Sequence, residues 1–321
     1  MFDKDVMWQD IAAAQTIGIG GHERPDGDCV GACLAVYNYI RENFAKEADV
    51  YVEVVPANLS FLKGSEHINT AYPYRKDGYD LFIALDCADA GRLGKAQKYL
   101  KDASKSYCID HHETNPGFAD ENHILPEAAA ACEAVFDLMD EDKISQTVAE
   151  CLYTGIIHDT GVFQHSNTTR HTMEVAGRLL DYKIAASDII NSSFNEKTYL
   201  QNQILGRCLM ESILCMDGRV VIAYVDRRIQ ALYGLVSSDT DGVVDQLRIT
   251  AGVDVAVLLK EMNPRLWRVS MRTNHIVNAA EVCEHFGGGG HMHAAGCVLN
   301  GSVHDVINTL TREVEKYFYE S

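Results

Sequence analysis

Residues 106–115 read "SYCIDHHETN": a short apolar run, Tyr107-Cys108-Ile109, delivers Asp110, His111 and His112 to its end. Near-continuous apolar runs bounded by polar loops are the mark of strands buried on both faces, as in parallel sheets. The same device recurs upstream. "TIGIGG" (16–21) leads into "HERPDGD" (22–28), and "DLFIALDC" (80–87) carries Asp86 at its end, with Asp89 and Arg92 just beyond. "DVYVEVV" (49–55) is a further strand-type run, and longer helix-type runs lie between: "GACLAVYNYIRENFA" (31–45), "EAAAACEAVFDLMD" (127–140) and "QTVAECLYTGII" (146–157). Such alternation predicts an α/β fold, a parallel sheet with helices on both faces, over residues 1–190.

Beyond it, "SDIINSSFNEKTYLQNQILGRCLMESI" (187–213) has few helix breakers and reads as continuous helix, so residues 191–215 are expected to form a helical linker. The strand-type segments "GRVVIAYVD", "VDVAVLLKEM", "LWRVSMRTN" and "GCVLN", with "AAEVCEHF" as helix between them, predict a smaller mixed α/β domain over 216–321.

Charge is unevenly placed in this chain of 321 residues and formal net charge −18: residues 1–199 hold 17 basic against 32 acidic side chains, the remainder 11 against 14. That balance opposes a broad grip on long nucleic acid. Ten scattered cysteines without a C-x-x-C pair, several inside helix-type runs, are read as reduced buried thiols. The first residues lack a leader pattern and no apolar run is long enough to span a bilayer, which predicts a cytoplasmic protein away from membranes.

In a parallel α/β sheet, ligands collect beyond the carboxyl ends of the strands. His22, Asp26 and Asp28, then Asp86, then Asp110, His111 and His112 all follow strand-type runs, and Asp159 closes a helical one. Each alone has a bland explanation: Asp26 or Asp28 as a helix cap, Asp86 as a turn residue or partner of Arg92, the histidines as core or surface residues, Asp159 as a cap. Together they gather at one edge of one sheet. His22, Asp26, Asp28, Asp86, His111 and Asp159 offer mixed imidazole and carboxylate donors suited to Mn²⁺ or a similar divalent ion, and with one carboxylate bridging they suffice for two. Four aspartates offset the charge of two such ions, leaving a site that accepts a phosphate; two-metal sites of this kind clamp a phosphoryl group for in-line displacement.

Downstream, "EHFGGGGHMHAAGC" (284–297) follows a helical segment. Its glycines allow close backbone approach and point N–H groups at an anion. His291 stands beside them and Arg272, in "RVSMRTN", is a phosphate fork. A plain turn is the competing reading, and His293 fits a surface histidine equally well.

"HERPDGD", "LDCAD", "DHH", "HDTGVF" and "GGGGHMHAAG" stand in the order of the motifs of DHH-family phosphoesterases with a DHH-associated C-terminal domain, which the chain resembles from about residue 12 to 318. The branch it resembles is that of the nano-RNases and 3′-phosphoadenosine 5′-phosphate phosphatases. The resemblance implies a metal-bearing lobe and a substrate-gripping lobe, and two divalent ions, with Mn²⁺ expected. His22, Asp26 and Asp86 would hold one; Asp28, Asp86, His111 and Asp159 the other. It places His112 at the scissile phosphate, Asp110 behind it as an orienting group, and Arg272, Gly288, Gly289, Gly290 and His291 on the terminal phosphate. The implied activity is hydrolysis of very short 5′-phosphorylated oligonucleotides to mononucleotides, and of 3′-phosphoadenosine 5′-phosphate to AMP. A homodimer is compatible with this reading. Two alternatives stay open: a hydrolase of linear dinucleotides derived from cyclic ones, and a nucleotide- or RNA-binding protein without catalysis. Arg92 and His165 lie beside the motifs without an assigned role.

Overall fold

A computed structural model describes residues 2–73 and 77–319. The chain divides into two compact units, one ending at Glu196 and the other beginning at Lys197.

The first unit runs α1 (Lys4–Ala13), β1 (Ile17–Gly20), α2 (Gly27–Phe44), β2 (Asp49–Tyr51), β3 (Leu81–Leu85), α3 (Gln97–Asp102), β4 (Lys105–Asp110), β5 (Glu121–Ile124), α4 (Ala131–Leu138), α5 (Gln146–Asp159), α6 (Arg170–Leu180) and α7 (Ala186–Ile190). Its five strands are all parallel, in the order β2-β1-β3-β4-β5. The chain leaves β1 toward one edge and resumes at β3 on the other side, so the topological switch point, where open α/β sheets bind ligands, lies between β1 and β3.

Alternate strand residues serve two different layers. Ile17, Ile19, Leu81, Ile83, Leu85, Tyr107 and Ile109 face a thick layer built from α1, α2, α4, α5 and α6. The opposite face, with Phe82, Ala84 and Cys108, is closed by a thinner cover of Tyr51, Tyr79, Leu93, Tyr99 and Leu100 that includes α3. Within the thick layer α2 and α5 cross at glycine: a Cβ on Gly31 would lie 2.6 Å from the Cys151 carbonyl oxygen, and one on Gly155 would lie 2.6 Å from Asp28 Oδ1. These absences bring the start of α2 against the end of α5, where Asp28 and Asp159 reside.

The expected linker helix is broken. α7 passes into a wider π turn over Asn191–Asn195, and a fresh helix, α8 (Tyr199–Met210), starts within the second unit. The cause is local: Asn191, Ser192 and Ser193 are weak helix formers, and Thr198 with Gln201 makes a capping box that begins a new helix.

The second unit continues with β6 (Ile213–Cys215), β7 (Val220–Val225), α9 (Arg227–Tyr233), α10 (Val243–Arg248), β8 (Val255–Asn263), β9 (Leu266–Thr273), α11 (Ala279–His285), β10 (Gly289–His291), β11 (Ala294–Asn300) and α12 (Val303–Tyr319). Its mixed sheet has the order β10-β11-β9-β8-β7-β6, with only β7 and β8 parallel. One face packs Val257, Leu259, Val269 and Met271 against α11 and α12; the other packs Val221, Ala223 and Leu258 against α8, α9 and α10.

Because α2 meets α5 backbone to backbone, Gly31→Val is expected to destabilise the chain by about 1–3 kcal/mol. That reads as a lower urea midpoint at an unchanged slope; an unaltered midpoint would show that the helix pair has slack.

Candidate metal centre and anion-binding face

His22 leaves the end of β1 by two residues and is buried. Its Nδ1 lies 2.9 Å from the Glu23 carbonyl, so Nδ1–H donates there and Nε2 is turned to the cluster, 3.3 Å from Asp86 Oδ2 and 3.7 Å from Asp26 Oδ2. Asp26 divides its carboxylate: Oδ1 accepts the N–H groups of Asp28 and Cys29, each at 3.1 Å, as the N-cap of α2, while Oδ2 faces His22. Both expected roles, cap and ligand, are therefore open to the same side chain.

Asp28 is fully buried in the first turn of α2. Its carboxylate accepts the Ala131 N–H and, at 2.9 Å, the Cys132 N–H, the free donors at the start of α4. The capping residue of α4 is Ala130, which has no side chain for the task, so Asp28 caps α4 from another helix. The alanine run before Cys132 gives the carboxylate room to reach.

Asp86 is the centre. It follows β3 with φ +54°, a left-handed conformation that costs a non-glycine residue about 1–2 kcal/mol. Its N–H is held by the Ile109 carbonyl at 3.1 Å. Oδ1 lies 3.6 Å from His111 Nε2 and 3.7 Å from His112 Nδ1, yet has no hydrogen-bond partner among the described residues. His111 Nε2 in turn stands 3.3 Å from Asp159 Oδ2 and 4.0 Å from Asp28 Oδ2. A strained, buried carboxylate with an orphaned oxygen among imidazoles suits a cation better than any hydrogen bond present. Donor atoms of His22, Cys29 and Asp86, of Asp86, His111 and His112, and of Asp28, His111 and Asp159 come together as three sets, each within 4.8 Å.

The electrostatics agree. Burial, with the Asp86 charge beside it, pushes the Asp28 carboxyl up to about 7, and burial with Asp28 and Asp86 raises Asp159 well above the ordinary range. Burial would raise Asp86 too, but His111 and His22 outweigh it and hold it low. Burial works against protonating His111, and Asp86, Asp28 and Asp159 reverse that, lifting it to about 10. Protons thus occupy the middle of a crowd of carboxylates, the position divalent cations take in such sites.

His112 is held differently. Its Nδ1 lies 2.7 Å from Asp110 Oδ1, and the other Asp110 oxygen accepts from Asn115 Nδ2 at 2.7 Å. The hydrogen bond from Asp110 raises the His112 pKa against the effect of burial. Asn115 also donates to the Cys87 carbonyl at 2.9 Å, tying the loop after β4 to the loop after β3.

Sequence reasoning missed Asn115 as the clamp on Asp110, Cys29 as a neighbour of His22 and Asp86, and the α4 N-terminus as partner of Asp28. Asn115 stands within the quoted "DHHETN" and was the most accessible of these. Arg92 brings Nη2 to 3.4 Å from His22 Nδ1, and His165 Nδ1 lies 3.2 Å from the Asp159 carbonyl.

In the second unit part of the glycine run is a strand, neither the binding loop nor the plain turn that the sequence left open. Gly289–His291 form the edge strand β10, paired with β11 through Gly289↔Gly296, Gly290↔Ala295 and His291↔Ala294. A Cβ on Gly288 would strike β11, and Gly290 has φ +152° with only 2.5 Å between its Cβ position and the Ala294 carbonyl oxygen. Ala294 is also opposite Arg272. Residues directly opposite share a face, so His291, Ala294 and Arg272 form one rung with a small residue between an imidazole and a guanidinium. Asp245 Oδ1 accepts from Arg272 Nε at 3.0 Å and so steadies the guanidinium. His293 lies 3.3 Å from the Thr273 hydroxyl through Nδ1.

Carboxylates and imidazoles gathered past the strand ends at the switch point of a parallel sheet form a site that fits divalent cations, in one chain with a second mixed-sheet unit. The chain belongs to the DHH family: the model of the DHH family N-terminal domain matches residues 16–156 and that of the DHHA1 domain residues 217–320. It is 31% identical over 290 residues to the "bifunctional oligoribonuclease and PAP phosphatase NrnA" of Thermus thermophilus, covering 89% of this chain and 84% of that protein. To the protein of the same name from Bacillus subtilis it is 25% identical over 297 residues, covering 90% and 91%. The crystal structure of an exopolyphosphatase-related protein from Bacteroides fragilis shares the fold at a TM-score of 0.89 and 24% identity, covering 98% of this chain and 96% of the other. No helix among the described residues is long and apolar enough to cross a membrane.

Replacing Asp110 by Asn is expected to lower the His112 pKa toward the ordinary imidazole value, read as an earlier midpoint in the pH titration of its Cε1–H resonance. An unmoved midpoint would deny Asp110 its hold on the ring.

Proposed function

We propose that this phosphoesterase hydrolyses very short 5′-phosphorylated oligonucleotides to mononucleotides, and 3′-phosphoadenosine 5′-phosphate to AMP, in the cytoplasm. The observation that carries the reading is the orphaned Asp86 Oδ1 beside His111 and His112, with His22 at the other oxygen of the same carboxylate. The names of the relatives, oligoribonuclease and phosphatase, supply the substrate class.

His22, Asp26 and Asp86 would hold one divalent ion and Asp28, Asp86, His111 and Asp159 a second, with Asp86 shared and Mn²⁺ the expected metal. When bound, such ions supply Lewis acidity toward a phosphoryl group. The chain's own residues do the rest. Asp28, fixed by the α4 N–H groups, cannot swing away. His112, its Nδ1 anchored on Asp110, presents Nε2 as the proton donor to the leaving oxygen, and its raised pKa keeps that proton in place. Arg272, with Asp245 holding its Nε–H and the Met271 carbonyl an Nη1–H, offers its other N–H groups to the terminal phosphate; His291 and the backbone of Gly288, Gly289 and Gly290 complete that grip. Acting on a terminus explains why a chain this acidic can take nucleic acid at all: few phosphates need to be met.

Asp86→Ala is expected to lose Mn²⁺ uptake in calorimetry and to lower hydrolysis of 5′-phosphorylated diadenylate by at least a thousandfold, with an intact far-ultraviolet circular dichroism spectrum. Hydrolysis at the wild-type rate would refute the assignment.

A further inference from the structure

The second unit contains a hollow of about 440 Å³ walled by residues including Arg219, Arg248, Ile249, Asn274, His275 and Ile276, within the size range of small-ligand pockets. Arg272 and His291 are not among its walls. Two of its features are unusual for this unit. The half-buried arginines elsewhere, Arg207 and Arg272, have carboxylate partners in Glu211 and Asp245. Arg219 and Arg248, also half-buried, have no carboxylate within 4 Å among the described residues. Arg248 Nη1 donates only to the neutral Asn274 Oδ1 at 3.0 Å, and Arg219 donates to the Met216 carbonyl at 3.5 Å while lying over the Phe318 ring at 3.9 Å. The acid on the wall, Asp254, has its carboxylate engaged by the N–H groups of His275 and Ile276.

Asn274 is itself fixed, its Nδ2 donating to the carbonyls of Arg248 and Val253 at 3.0 and 2.8 Å. The acceptor that orients Arg248 is therefore built into the wall. At the rim Ile249 and Ile276 expose 63% and 54% of their surface, an apolar pair beside the cations.

Unpaired guanidinium groups held in a hollow of an acidic protein call for an anion, and their N–H geometry suits phosphate oxygens. The aliphatic rim suits a flat apolar group attached to it. We propose that this hollow is an accessory site for a nucleoside monophosphate, with the phosphate on Arg248, Arg219 and His275 and the base against Ile249 and Ile276. None of its lining residues belongs to the His22, Asp86 and His111 cluster, and it does not require the proposed hydrolysis.

The test is equilibrium dialysis of AMP against the full chain stripped of metal with EDTA. AMP should bind the wild-type chain, and Arg248→Ala should bind it at least tenfold more weakly. Ile276→Glu, at an exposed position, places a carboxylate at the rim and should weaken binding as much. Adenosine should bind at least tenfold more weakly than AMP. Wild-type affinity in either Arg248→Ala or Ile276→Glu would overturn the proposal. Inorganic phosphate binding as tightly as AMP would overturn the assignment of a nucleotide.

Discussion

The first unit is organised around a single unfavourable arrangement, a buried carboxylate in a left-handed backbone conformation at the switch point of a parallel sheet. Asp86 is strained, desolvated and short of one hydrogen bond, and its neighbours are arranged to keep it so. Parallel strands bring β1, β3 and β4 to a common edge, which places His22, Asp86 and His111 together. Glycines at the α2–α5 crossing bring Asp28 and Asp159 to the same point from the other side. Burial beside like charges raises the pKa of Asp28, and the carboxylates around His111 raise that of its imidazole. A stable fold that concentrates this cost in one place is a fold shaped for a ligand of positive charge.

Much of this was legible in the sequence, for a definite reason. "TIGIG", "LFIAL" and "SYCI" are apolar because both faces of each strand are covered, so strand ends, and the residues just past them, could be located without a structure. The histidines and aspartates therefore fell into place as a group. Less legible were interactions between residues distant in sequence. That Asp28 caps α4 depends on Ala131 and Cys132, more than a hundred residues on, and nothing in either stretch announces the partnership. Asn115 as the clamp on Asp110 is local and was overlooked because the two histidines beside it drew the chemistry.

The second unit shows where composition misleads. Four glycines in a row suggest a loop, yet Gly289–His291 pair as an edge strand because Gly288 and Gly290 let it press against β11. The glycines serve strand contact first; that contact sets His291, Ala294 and Arg272 in one rung. Similarly, the segment 187–213 lacks glycine as a breaker over most of its length and still divides, because a run of asparagine and serine is followed by a capping box at Thr198. In both cases side-chain hydrogen bonding and backbone proximity outweighed propensity.

On the proposed reading the acidic cluster serves phosphoester hydrolysis of substrates only a few nucleotides long. The most direct measurement is a product time course with Mn²⁺ on 5′-phosphorylated RNA of two, three, five and about twenty nucleotides, with pyrophosphate as a control; such a protein meets few phosphates and gains little from a long strand. Rapid release of mononucleotides from the shortest members, with little action on the longest, is the predicted result. Equal rates at all lengths, or cleavage of pyrophosphate alone, would contradict it.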